Sequence, residues 1–399
     1  MRRPELAGVM ADIRFASFYM AGFECSSHRR VADGARLDLI AGTGHDRLVR
    51  ADYRSCAEHG LLAVRDGLRW HLIEREPGRY DWSSWLPMLE AAADTGVQMM
   101  WDLFHYGSPD HLDQGSQEFI RSYARFAAEA VRLHREVTGK AAIVCPLNEM
   151  SFLAWAARNG VFPPIGANEE EGWLSRHLVS TAIGGMRAMR AADPDCRFIW
   201  AEPLINVLPR TPAEADEAEA KRLSQYHIYD MLSGRTAPEL GGSPEWLDAV
   251  GLNFYSDNQW YLEGSTIPLG RHDYRPLADM LVETHERYGR PLLITETGGE
   301  GSARPAWFHY VCDEVREAIG RGVPVQGVCL YPVASFPGWD DGRHRQFGLF
   351  GAPGRDGRRE AHAPLAAELR RQQALLERED GPGVRDGEGA LAARPAKLA

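Results

Sequence analysis

Short apolar runs rich in β-branched and aromatic residues alternate along the chain with longer stretches in which apolar positions recur every three to four residues. The short runs, at 14–20, 61–65, 97–104, 142–147, 197–201, 249–254, 291–295 and 325–331, read as strands. The clearest helical pattern covers 118–135, where Phe119, Ile120, Tyr123, Phe126, Ala127, Ala130, Val131 and His134 share one face. A second helix start is marked at Thr211, with Pro212 at the first helical position and Glu214 placed to complete a capping box. Eight strands separated by helices predict a parallel sheet, and eight units predict an α/β fold closed as a single (β/α)8 TIM barrel. The rival doubly wound sheet wants a glycine-rich turn opening a helix after the first strand, whereas Gly42-Thr43-Gly44 sits in a long polar loop. One catalytic domain is expected over 10–378, ending in a helix over 358–379. The remainder, 379–399, is rich in glycine, proline and charge and is expected to be disordered.

Composition narrows the class. The 399 residues are 44% hydrophobic and 25% charged, which suits one large globular core. Arginine and lysine (45) are outnumbered by aspartate and glutamate (56), and no basic cluster is interleaved with aromatics, so nucleic acid is excluded as a partner. No apolar stretch is long enough for a signal peptide or a membrane span, so a soluble cytoplasmic protein without a membrane partner is expected. Cys25, Cys56, Cys145, Cys196, Cys312 and Cys329 lack CxxC spacing and read as buried free thiols. The mixed-charge run 355–379 reads as a solvated helix face, and Trp70 and Trp101 as packing between barrel and helices.

In a barrel, chemistry comes from the C-terminal ends of the strands. Those ends carry Arg65 and Asp66; Asp102, His105 and Tyr106; Asn148 and Glu149; Glu202; Asn253 and Tyr255; Glu296; and Tyr331, with Trp339 beyond. Glu149 and Glu296, on the fourth and seventh strands, form the pair that glycosidic cleavage needs. One carboxyl protonates the leaving oxygen while the other attacks or stabilises the anomeric carbon. A separation of about 5–5.5 Å gives retention and about 6.5–9.5 Å gives inversion. Arg65 is expected to keep the nucleophile ionised by its opposite charge. Glu202 reads equally as a structural strand end or as part of a substrate subsite.

These residues resemble a known family. Asn148-Glu149 and Thr295-Glu296-Thr297-Gly298 are similar to the acid/base and nucleophile motifs of clan A retaining glycoside hydrolases, and among these to glycoside hydrolase family 1, the β-glucosidases. Residues 64–70, 103–106, 251–255 and the span from Tyr331 to Trp339 resemble further segments of that family in the same order. The resemblance implies a retaining β-glycosidase with Glu149 as acid/base and Glu296 as nucleophile. It implies that Asn148 bonds the sugar 2-hydroxyl, that Tyr255 touches the nucleophile, and that Arg65 supports it. It also implies that His105, Asn253, Tyr331 and Trp339 bind substrate, a small-molecule or oligosaccharide glycoside. Where the family has a sugar-binding glutamate before the last tryptophan this chain has Gly338, and the family's first-strand glutamine has no counterpart near Glu24 to His28.

No cofactor and no metal are expected, since no histidine or cysteine cluster has ligand spacing. Gly298-Gly299-Glu300-Gly301 is a poor phosphate loop because Glu300 repels an anion. Two alternatives stay open: a transglycosidase with a non-water acceptor, and a barrel that binds saccharide without cleaving it.

Overall fold

A computed structural model describes residues 13–379, so the expected domain start at residue 10 and the tail from 380 onward lie outside the described residues. Eight parallel staves are present: β1 (Tyr19–Gly22), β2 (Ala63–Gly67), β3 (Gln98–Asp102), β4 (Ile143–Cys145), β5 in two pieces (Arg197–Phe198 and Glu202–Pro203), β6 (Val250–Asn253), β7 (Leu292–Thr297) and β8 (Val325–Leu330). Phe198 pairs with Val144 of β4, Glu202 pairs with Leu252 of β6, and Ile199 bridges Ala249 between them. The sheet therefore runs from β5 through β1 and back to β5, which closes the barrel.

Alternation along each stave divides its side chains between two cores. Met20, Ala63, Met100, Cys145, Ile199, Ala249, Leu293 and Cys329, one from each stave or the residue beside it, meet in a single cluster inside the barrel. Val64, Trp101, Val144, Phe198, Leu252, Ile294 and Val328 belong instead to the larger cluster shared with the surrounding helices. Those helices are α1 (His45–Glu58), α2 (Leu86–Thr95), α3 (Gln117–Thr138), α4 (Met150–Arg158), α5 (Trp173–Ala192), α6 (Ala215–Leu223), α7 (His227–Leu232), α8 (Leu277–Tyr288), α9 (Arg304–Gly320) and α10 (Ala363–Glu379). Trp70 and Trp101 are fully buried in this outer layer, and all six cysteines are free and buried. Among the described residues no helix is long and apolar enough to cross a membrane.

Three local expectations need correction. The first strand begins at Tyr19 rather than at residue 14, because the preceding segment crosses the bottom of the barrel. There Ile13 joins the inner cluster, and Ser17 Oγ accepts from the Leu62 and Ala63 N–H groups at 2.8 and 3.0 Å. At Thr211 no side-chain cap forms. A 3₁₀ turn, Pro212–Glu214, precedes α6, and the Arg210 guanidinium draws Glu214 one residue back, where it accepts from the Arg210 N–H at 2.8 Å. Finally, the charged run 355–379 is not all solvated. Its start forms a hairpin of β9 (Phe350–Pro353) and β10 (Arg359–Ala361), in which Arg359 is buried and donates to Asp52 at 2.8 Å, and α10 buries Leu365, Ala366 and Leu369.

Candidate active site

The C-terminal ends of the staves surround a cavity of about 960 Å³. Arg65 anchors its floor. On β2, Ala63 and Arg65 face inward while Val64 and Asp66 face outward, so alternation alone sends the guanidinium into the barrel mouth. All five of its N–H bonds find acceptors. Nε and Nη2 donate to the two oxygens of Asp102 at 2.9 and 2.8 Å, Nη1 to Glu296 Oε1 at 2.7 Å and to the Thr295 carbonyl at 3.1 Å, and Nη2 also to Asn148 Oδ1 at 2.7 Å. Burial works against this charge, and Asp102 and Glu296 overcome it, holding Arg65 protonated. Burial likewise opposes Asp102, but Arg65 and His105 bring its carboxyl down to about 2.

Glu296 reaches this cation through a bulge. Continuing the alternation from Leu293 would turn residue 296 outward, yet the pairing of β7 slips against both neighbours, between Ile294 and Glu296 on one side and between Ile294 and Thr297 on the other. A bulge of this kind re-aims a side chain, and here it delivers the carboxylate to the cavity. Its second oxygen accepts from the Tyr255 hydroxyl at 2.9 Å. Burial raises its carboxyl to about 7 and the neighbouring Glu149 adds to the rise, while Arg65 pulls it down, the direction expected of its opposite charge.

Glu149 stands at the N-terminus of α4 with a left-handed backbone, φ 42°. That conformation is costly for a residue with a side chain. It aims the carboxyl into the cavity, where Oε1 accepts from Asn253 Nδ2 at 2.8 Å and Oε2 from the Tyr106 hydroxyl at 2.6 Å. The two glutamates thus lie in different surroundings, Glu296 between a cation and a phenol, Glu149 between two neutral donors.

The remaining expected residues divide between cavity wall and support. His105, Tyr331 and Trp339 line the cavity. The Tyr331 ring lies under the Arg65 guanidinium, 4.9 Å from its centroid, and needs Gly22 beside it, since a Cβ there would meet the ring at 2.3 Å. Trp339 Nε1 is buried without a hydrogen-bond partner, which leaves a donor at the cavity wall. Asn253, expected to bind substrate, supports Glu149 in this structure. It is fully buried, with Nδ2 on Glu149 and Oδ1 accepting from the Thr295 hydroxyl at 2.7 Å. Asn148, expected to meet a sugar hydroxyl, is also spent inside the protein. Its Nδ2 donates to the Tyr106 hydroxyl at 3.0 Å and approaches His105 Nε2 at 3.1 Å.

His105 is spent similarly, since its Nδ1 meets Asp102 Oδ2 at 2.9 Å and Cys25 Sγ at 3.1 Å. Cys25, Asp102 and His105 place potential ligand atoms within 4.8 Å of one another. Arg65 already neutralises Asp102, and burial pushes the Cys25 thiol well up, so the trio is a hydrogen-bonded cluster whose electrostatics oppose a cation. Three residues outside the expected set also shape the site. Asp102 and Tyr106 were visible as polar strand ends; Glu24, which lines the cavity and accepts from the Ser26 N–H at 3.0 Å, comes from a loop with no distinguishing pattern. Glu202, at the end of β5, accepts from the first N–H groups of α4.

No family model and no curated protein matches this sequence. Solved structures do match its shape. The chain is similar to a family 1 β-glucosidase from Thermotoga maritima, at 15% identity and a TM-score of 0.72 over 90% of this chain and 98% of that one. It is similar to the virulence factor SghA from Agrobacterium tumefaciens, at 18% identity and 0.73 over 90% and 97%. It is also similar to the AHE enzyme from Alicyclobacillus herbarius, at 17% identity and 0.73 over 91% and 99%. The Thermotoga maritima β-glucosidase is known in complex with deoxynojirimycin. At these identities the likeness establishes architecture: the chain has the (β/α)8 fold of the β-glucosidases, as the order of motifs along the sequence led us to expect.

Proposed function

We propose that this protein is a retaining β-glycosidase. The observation that carries the reading is the pair of glutamates facing one cavity, with the guanidinium of Arg65 and the hydroxyl of Tyr255 on Glu296 and only neutral donors on Glu149. A carboxylate that attacks must present an electron pair while its negative charge is held in place, and the Arg65 and Tyr255 contacts do that. In the first step a Glu296 oxygen bonds to the anomeric carbon as the bond from that carbon to the aglycone oxygen breaks. The electron pair leaves with the aglycone oxygen, which takes the proton of Glu149. In the second, Glu149 takes a proton from water, the water oxygen bonds to the anomeric carbon, and Glu296 is released. Asp102 and Asn148 hold Arg65, Asn253 and Tyr106 hold Glu149, and Trp339 Nε1 with Glu24 supplies a donor and an acceptor for ring hydroxyls.

Incubation with a panel of 2-deoxy-2-fluoro glycosyl fluorides, followed by intact-protein mass spectrometry, tests this. A gain of one sugar on the peptide carrying Glu296 is expected. A sugar bound to the protein and hydrolysed with inversion, with no adduct at any stage, would sink the double displacement.

A further inference from the structure

The backbone of Glu149 is left-handed, φ 42°, and one buried side chain holds the helix start that follows it. Glu202, at the end of β5, is 1% exposed and directs both carboxyl oxygens at the start of α4. Oε1 accepts from the Met150 N–H at 2.7 Å; Oε2 accepts from the Ser151 N–H at 3.1 Å and from the Ser151 hydroxyl. These are the first two N–H groups of α4, donors that have no partner within the helix. The Glu149 N–H is fixed by the same stave, donating to the Ala201 carbonyl at 2.8 Å. Strand β5 therefore clamps the chain on both sides of the Glu149 Cα.

The electrostatics are unusual for a helix cap. Among the described residues no lysine, arginine or histidine forms an ion pair with Glu202. The titratable groups that face it are Glu149 itself, Cys145 of β4 and Tyr229 of α7, none of them a cation. Burial pushes the Glu202 carboxyl up to about 8 although its three donors pull the other way, and the proximity of Glu149 contributes to the rise.

We propose that Glu202 is the positioning residue of the acid/base glutamate: its carboxyl caps α4 and so holds Glu149 in the left-handed conformation that aims it into the cavity. This rests on the reading of Glu149 as general acid. A helix cap with a purely structural role would serve the fold without regard to what leaving group the enzyme expels. A residue acting through the acid matters most where protonation matters most.

The test compares wild type and Glu202→Gln on two β-D-glucopyranosides, one with a 4-methoxyphenyl and one with a 2,4-dinitrophenyl leaving group. General acid catalysis contributes about 10²–10⁴-fold, and the dinitrophenolate leaves without it. Glu202→Gln is expected to lower kcat/KM about tenfold or more for the first substrate and less than about threefold for the second. Equal losses on both substrates would overturn the proposal. A second measurement needs no substrate: in protein carrying ¹³C-carboxyl glutamate, the resonance that disappears in Glu202→Gln is expected to titrate lower in Glu149→Gln than in wild type. An unmoved midpoint also overturns the proposal. Wild-type protein that turns over neither glucoside but keeps this coupling would count against the glucosidase reading while supporting the link between Glu202 and Glu149.

Discussion

Arg65 and Asp66 are neighbours on β2, and each is the centre of a buried charged network, but the two networks face opposite ways. Arg65 points inward to Asp102, Asn148 and Glu296, the last of which lines the cavity. Asp66 points outward to α1, where its Oδ2 meets His45 Nε2 at 2.7 Å and accepts from the Tyr53 hydroxyl at 2.6 Å. His45 Nδ1 meets Asp52 at 2.7 Å, and Asp52 accepts from Arg359 at 2.8 Å, so the outer network ties β2 and α1 to the hairpin near the C-terminus. Both contain strongly shifted groups: Asp102 goes down to about 2, and His45 goes up to about 9. Perturbation of this kind marks candidate sites only probabilistically. What distinguishes the inner network is that its last carboxylates, Glu149 and Glu296, open onto space a ligand can occupy, whereas every member of the outer one is closed against protein.

The sharpest way to break the comparison is to remove one member of each. Glu296→Ala is expected to lower turnover by on the order of 10⁴-fold or more, with a thermal melt within a few degrees of wild type, checked by steady-state kinetics and calorimetry. Arg359→Met should do the reverse. It leaves Asp52 buried with only His45 beside it, and breaking a buried ion pair by removing one partner costs about 3–5 kcal/mol. Urea denaturation should show that loss while kcat/KM, adjusted for folded fraction, stays within about twofold of wild type. If Arg359→Met lowers activity as much as stability, the two networks are one.

The outer network also has a pH signature. Burial alone would lower His45, but Asp66 and Asp52 outweigh it and raise its folded value to about 9. A histidine raised on folding contributes stability in full below its unfolded value near 6.5, and that contribution disappears as pH rises through about 9. About 3 kcal/mol should therefore be lost between roughly pH 7 and 10. In His45→Gln that pH-dependent part should vanish, leaving a lower and flatter curve of melting temperature against pH.

How much of this was legible in the sequence follows from how local each feature is. Strand and helix periodicities repeat within a few residues, so eight staves could be read from the pattern, and the strand-end rule then picked out Arg65, Glu149 and Glu296. The bulge that turns Glu296 inward depends on pairing with β6 and β8, and strict alternation would have placed that side chain outside. The duties of Asn148 and Asn253 depended on partners far along the chain, Arg65 for the first and Glu149 for the second, 83 and 104 residues away. Arg359 looked solvated because its run is full of charge, and its partner Asp52 lies 307 residues earlier. Glu24 carried no signal at all, since a loop places it without any period.

The smallest expected effect concerns two phenols, one in each network. The Tyr255 hydroxyl donates to Glu296 and the Tyr53 hydroxyl to Asp66. A hydrogen bond to a charged group contributes about 1.5–3 kcal/mol, so each Tyr→Phe change removes a similar amount of stabilisation from a carboxylate, but the consequences should separate. In the proposed mechanism Glu296 must be ionised to attack, and burial has raised it to about 7, so kcat/KM should fall as pH drops below that value. Tyr255→Phe takes away a donor that favours the anion; the carboxyl rises further, and the acid limb should begin at higher pH, with kcat/KM at neutral pH down by about tenfold. Tyr53→Phe should leave the profile where it was and appear only as a lower melting temperature. An acid limb that moves equally in both variants would mean that the two faces of β2 communicate, and that the division of labour between Arg65 and Asp66 is wrong.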